Sequence, residues 1–231
     1  MFGELPEIDT TTPGLKVRAF PVHIEASAVG PKLALLRLPT PDEEIKYFSA
    51  QRTIYRDLGR GMGEWEDVPT PKADLTLFKA LRTDKQHDDG SGPVEFDEAE
   101  AKYALTLLFR NMTLSCDRDG DQFTVELATL FGRVTHTCRI PYHVERQEYA
   151  NTVIKSRDMP HNITERRMPI EAPIALYDKI VKYVTGYVNT AGTTGSEAEM
   201  RGSVPPHHKR SVVYAVMSSL AESAPDLDPN S

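Results

Sequence analysis

The run at residues 117–121, Asp-Arg-Asp-Gly-Asp, has the residue types and spacing that open a calcium loop. Such a loop needs glycine at its sixth position and a bidentate glutamate at its twelfth. Gln122 and Ala128 stand there instead. Flanked by strand-forming residues, Asp119-Gly120 reads as a tight hairpin turn of the I′ type. The alternate glycines of GRGMG, residues 59–63, suggest a phosphate cradle. They do not form GxGxxG after a strand, and no Lys-Ser/Thr pair follows them. The expectation is that Gly59 caps a helix and leads into a connector.

The seven histidines are His23, His87, His136, His143, His161, His207 and His208. None forms HxxxH or HExxH, and no CxxC accompanies them, so no zinc site is encoded locally. His136 and His143 could meet in space, yet neither has a histidine at the matching place earlier in the chain; surface or half-buried histidines are expected. Hydrolytic chemistry lacks GxSxG. Cys138 beside His136 or His143 reads as an inert, strand-buried thiol rather than a nucleophile. Cys116 and Cys138 fall on the outer strands of a three-stranded meander, so no disulfide is expected between them. The paired carboxylates Glu43-Glu44 and Glu98-Glu100 suit the first turns of helices. No catalytic, cofactor-binding or metal-binding residue emerges, and no cofactor is expected.

Composition narrows the partners. A chain of 231 residues with a net charge of −7 and 39% hydrophobic residues can bury a real core. The charge weighs against nucleic acid, since the longest basic cluster is His207-His208-Lys209-Arg210. No apolar run approaches the ~18 residues of a membrane span, and the N-terminus has no signal-peptide pattern. The expectation is a protein of a cytosol that binds neither nucleic acid nor membrane.

The elements that would position any site are written twice. LRLPTPDEEIKYF at 36–48 and CRIPYHVERQEYA at 138–150 share Arg, Pro, Glu and Tyr at one offset: Arg37, Pro39, Glu43 and Tyr47 fall on Arg139, Pro141, Glu145 and Tyr149, 102 residues on. Before each comes alternating apolar sequence broken by a glycine, which predicts a hairpin. After Pro39 the acidic run Asp42-Glu43-Glu44 behind Thr40 and Pro41 predicts an N-capped helix. That helix is expected to reach about Leu58, and its counterpart to run from about His143 to Arg157. ADLTLFKAL at 73–81 then matches APIALYDKI at 172–180, and EAEAKYALTLLF resembles KRSVVYAVMSSL.

The expected fold class is therefore α+β, a tandem duplication of a small antiparallel hairpin or meander followed by three helices. The first copy would occupy 15–112 and the second 113–223, with an N-terminal extension at 1–14 and a flexible tail at 224–231. Polar stretches at 83–93 and 189–206 are expected as exposed loops. Arg37, Glu43, Tyr47, Arg139, Glu145 and Tyr149 define the repeat and are its partner-binding candidates. Each arginine is expected to tie its strand end to its own helix through Glu43 or Glu145; the alternative is an exposed arginine pair that docks an acidic partner. The large residues on predicted helix faces (Tyr47, Phe48, Tyr55, Tyr177, Ile180, Tyr183) read as core rather than as a partner groove.

The strand–Arg–apolar–Pro–Thr–x–x–Glu–Glu–helix pattern resembles tailed-phage tail assembly chaperones over two stretches of some fifteen residues. The wider order of segments is similar to uncharacterised proteins of prophage tail gene clusters. The resemblance implies a non-enzymatic assembly protein that binds another tail protein, a tape measure or tube subunit, in the bacterial host cytoplasm. A structural tail or baseplate-proximal component that stays in the virion is the alternative, and an enzyme without a recognisable motif comes third. Other phage tail proteins would be its partners, and two similar modules in one chain are compatible with a homo-oligomer.

Overall fold

The structure, a computed structural model, describes residues 19–24, 32–59, 62–83, 94–130, 132–160, 163–187, 202 and 204–222. The N-terminal extension, the tail, His87, His161 and most of the two polar loops lie outside the described residues. The fold is α+β: every strand pairing is antiparallel, and there are six helices among the described residues.

The chain divides into two compact units. One holds Val17–Arg110 together with Ala150–Ile170, and the other holds Asn111–Tyr149 and Glu171–Ser231. In the first unit β1 (Ala19–Ile24) and β2 (Lys32–Arg37) form a hairpin, and α1 (Pro41–Ala50) follows. The start of α1 is closed by a capping box. The Thr40 hydroxyl accepts from the Glu43 amide, and the Glu43 carboxylate accepts from the Thr40 amide at 2.8 Å. Then come β3 (Thr53–Gly59), β4 (Met62–Asp67), α2 (Pro71–Leu81) and α3 (Glu98–Leu108). Asp97 and Glu100 build a second capping box on α3. The core of this unit is Val22, Ile24, Ala34 and Leu36 from the hairpin against Phe48, Leu77, Phe78, Leu81, Ala104 and Leu105 from the helices.

In the second unit β5 (Asn111–Asp119), β6 (Gln122–Thr129) and β7 (Gly132–Arg139) form the expected meander. Its first turn places Gly120-Asp121 between the paired residues Asp119 and Gln122, one residue later than the sequence suggested, and Gly120 takes the positive φ of 58° that the turn requires. After α4 (His143–Thr152) the chain leaves this unit as β8 (Lys155–Met159) and β9 (Ile163–Arg167). It returns as α5 (Glu171–Ile180), β10 (Val181–Thr185) and α6 (Pro206–Glu222). The sheet order is β10-β7-β6-β5, with α6 packed on β5, β6 and α5.

Two expectations need correction. Neither of the first helices runs on: α1 ends at Ala50 and α4 at Thr152, and a second hairpin follows each. The β-branched and aromatic run Thr53-Ile54-Tyr55 favours a pleated surface over another helical turn, and Gly59 lies in a strand rather than at a helix end. The two extra hairpins join into one four-stranded sheet, β4-β3-β9-β8, within the first unit.

Candidate functional site

The arginines that mark the repeat sit at corners of the same construction. At the end of β2, Arg37 donates to both Glu43 carboxylate oxygens at 2.8 and 2.6 Å, to the Leu38 carbonyl at 3.0 Å and to the Ala80 carbonyl at 3.2 Å. At the end of β7, Arg139 donates to both Glu145 oxygens at 2.8 and 2.6 Å, to the Ile140 carbonyl at 3.1 Å and to the Lys179 carbonyl at 3.1 Å. Each guanidinium thus ties a strand end, a helix start and the last turn of the following helix, whose terminal carbonyls lack helical partners. The arginine beside it holds the Glu43 carboxyl down at about 2, and Arg139 lowers Glu145 in the same way.

The corners differ most at the helix cap. Tyr142 replaces the capping Thr40; its amide still donates to Glu145 at 2.8 Å, and its ring lies 4.3 Å from the Arg139 guanidinium. Tyr47 and Tyr149 are buried in their own units. The Tyr47 hydroxyl donates to Asp74 at 2.9 Å, and burial raises both phenols above their ordinary value. Of the other aromatics, Tyr177 and Phe48 are core residues, but Tyr183 is 57% exposed.

Among the described residues three histidines and one thiol are buried, and Cys116 is half-buried. His136, expected at the surface or half-buried, is fully buried, and His207 and His208 are buried as well, while His143 is exposed. His136 lies on the inward face of β7 between Val134 and Cys138, which is why strand alternation rather than any motif signals its burial. Its Nδ1 is 2.8 Å from the Tyr177 hydroxyl and its Nε2 is 3.0 Å from that of Tyr187, which in turn lies 2.8 Å from His208 Nδ1. Burial drives His136 down to about 3, so the ring is neutral, donating through one nitrogen and accepting on the other. Cys138 is pushed up to about 12 by the same burial, and both cysteines are free thiols. Among the described residues no group of three or more His, Cys, Asp or Glu side chains could hold a metal ion.

The surface of the β4-β3-β9-β8 sheet has a different character. Gly63–Asp67 of β4 are exposed, and so is every residue of β8. The Trp65 ring packs on Tyr55 at 4.8 Å, and the Arg166 guanidinium lies 4.1 Å from it, bridging from β9 across β3. Gly63 leaves the room that the Tyr55 ring occupies, since a Cβ there would overlap the phenol. On the other face Arg56 pairs with Glu66 at 3.1 Å, and Glu165 accepts from Arg167 at 3.0 Å and Arg52 at 3.4 Å. Strand β4 carries Glu64, Glu66 and Asp67, and β8 carries Lys155 and Arg157 on one face and Asp158 on the other. No sequence motif announces this sheet, but the opposite charges of its two outer strands are readable once their positions are known.

No protein-family model, curated protein or solved structure matches this chain. No described helix is long and apolar enough to cross a membrane.

Proposed function

We propose that this chain is a non-enzymatic assembly protein that works by binding protein through the outer strands of its four-stranded sheet. The observation that carries the reading is a contrast of exposure. His136, His208 and the Cys138 thiol are buried and held in structural hydrogen bonds or apolar packing, whereas β4 and β8 expose strand edges of opposite charge. Exposed edges recruit a partner strand through main-chain hydrogen bonds, and side-chain charge selects the partner.

The two arginine corners, built from the same bonds at matching positions, support descent of the two halves from one duplicated unit. The resemblance of the LRLPTPDEE segment to tail assembly chaperones makes a phage tail protein, a tape measure or tube subunit, the partner class in this reading. The protein would then act in the host cytoplasm. A structural tail component is the second reading, favoured by the complementary edges on one chain, which suit a repeating assembly.

Co-expression with the tail proteins encoded beside it tests the proposal. A tail protein should co-purify with the wild-type chain, and proline at Arg157, which removes a strand amide, should weaken the association. Quantifying the chain in purified particles separates the two roles, since a chaperone is absent and a structural component stoichiometric. Failure to retain any tail protein, or a metabolic operon around the gene, would overturn the reading.

A further inference from the structure

The four-stranded sheet joins two hairpins through unlike edges. The hairpins match strand for strand. Thr53 faces Asp67 as Lys155 faces Arg167, Tyr55 faces Trp65 as Arg157 faces Glu165, and Asp57 faces Gly63 as Met159 faces Ile163. Strand β8 therefore takes the place of β3, offset by 102 residues, and β9 takes that of β4, offset by 100. Yet the hairpins meet β3 to β9, the first strand of one against the second strand of the other. A like-to-like junction would have left two identical outer edges. This one leaves β4 at one side of the sheet and β8 at the other, which are the two complementary halves of the same junction. A chain that presents both halves of a heterologous contact associates head to tail, closing as a ring or continuing as a filament.

The register of the existing junction specifies the new one. β3 and β9 pair Thr53 with Arg166, Ile54 with Glu165, Tyr55 with Thr164 and Arg56 with Ile163. Transferred by the same offsets, that register sets Lys155 against Glu66 of a second copy, Ser156 against Trp65, Arg157 against Glu64 and Asp158 against Gly63. Opposite charges meet at two of these positions, and like charges meet at none. Glu64 and Glu66 share one face of β4, as Lys155 and Arg157 share one face of β8, because they are two residues apart. Opposite charges directly across a strand pair stabilise it, and like charges oppose it. Two β4 edges would bring glutamates together, and two β8 edges would bring cations together. Charge on an edge strand ordinarily blocks pairing; with opposite signs on the two edges, only β4 against β8 escapes the block.

We propose that copies of this chain assemble head to tail, with β8 of one pairing antiparallel to β4 of the next in the register Lys155–Glu66 and Arg157–Glu64. The inference rests on the protein-binding part of the proposed function and is independent of the tail assignment.

Sedimentation velocity on the full chain tests it. At low ionic strength and high protein concentration the wild type should sediment faster than a monomer, and should return to the monomer as salt screens the exposed pairs. The double variant Glu64→Lys/Glu66→Lys should be monomeric, and so should Lys155→Glu/Arg157→Glu. Mixed in equal amounts, the two should assemble again, because each edge of one then finds an edge of opposite charge on the other. The four substitutions combined in one chain should also assemble. The Arg56–Glu66 pair lost in two of these chains is exposed and contributes little to folding, and the rescue controls for any loss of fold. A wild type that stays monomeric, association that survives either reversal, or a mixture as monomeric as its parts would each overturn the proposal. A monomeric wild type that still retains a tail protein on co-expression would end the head-to-tail inference alone; one that retains none would end the protein-binding reading as well.

Discussion

Arg37 and Arg139 each hold three elements with one planar fork, and lysine cannot reproduce that geometry. Replacing Arg37 with Lys should therefore lower stability by about 1 kcal/mol, toward the upper end for a half-exposed pair, as read from urea unfolding. Acid should weaken the corner in a defined window. The Glu43 carboxyl titrates at about 2 when folded against an ordinary value of 4.5, so its contribution is present above 4.5 and is lost as the pH falls towards 2. Glu43→Gln should flatten the urea midpoint across that interval. The buried histidines act in an earlier window. His136 falls from 6.5 to about 3 on folding, so the unfolded chain binds the extra proton and stability declines as the pH drops below 6.5. His208 is lowered in the same direction. In His136→Gln the decline between pH 6.5 and 4.5 should be shallower than in the wild type; an unchanged slope would show that this ring is not the titrating group. These residues were visible in the sequence in different degrees. The shared spacing of Arg37, Glu43, Arg139 and Glu145 gave the corner away because it lies within a few residues of chain. The His136–Tyr187–His208 chain did not show, because its members come from β7, the segment after β10 and α6, and only folding brings them together.

At the scale of elements, hairpins and helix starts were legible where local chemistry encodes them: the alternating strands, the N-cap at Thr40, the acidic first turns. The second pair of hairpins was not. Between Ala50 and Gly59 only the short run Thr53-Ile54-Tyr55 speaks against a helix, with no proline or glycine to stop one, and KSRDM at 155–159 has no apolar alternation, so β8 reads locally as a polar helix end. These strands owe their form to pairing with partners far along the chain, β3 with β9 above all. The Trp65–Arg166 contact clamps that pairing, and a cation over an exposed indole is worth about 0.5–1 kcal/mol. Since Trp65 is the chain's only tryptophan, its fluorescence reports the sheet directly. Arg166→Ala should change the emission and speed amide exchange in β3 and β9 while leaving the helices unaffected. Emission and exchange identical to wild type would show that the junction does not depend on this contact.

At the scale of the whole molecule, each of the two compact units has an arginine at the corner between a strand end and the helix that follows it. The extra hairpins are where the halves depart from self-sufficiency, since β8 and β9 pair in the sheet of the first unit. If function lies at the outer strands, the polar groups of the buried cores are there for structure, and the binding surface is β4 and β8. Amide hydrogen exchange across the full chain, compared between dilute protein in high salt and concentrated protein in low salt, tests this most directly. Fast exchange at β4 and β8 in the first condition and joint protection of both strands in the second is the expected result. Protection confined to one of them, or appearing only elsewhere, such as around the exposed Tyr142 and Val144 at the start of α4, would contradict it.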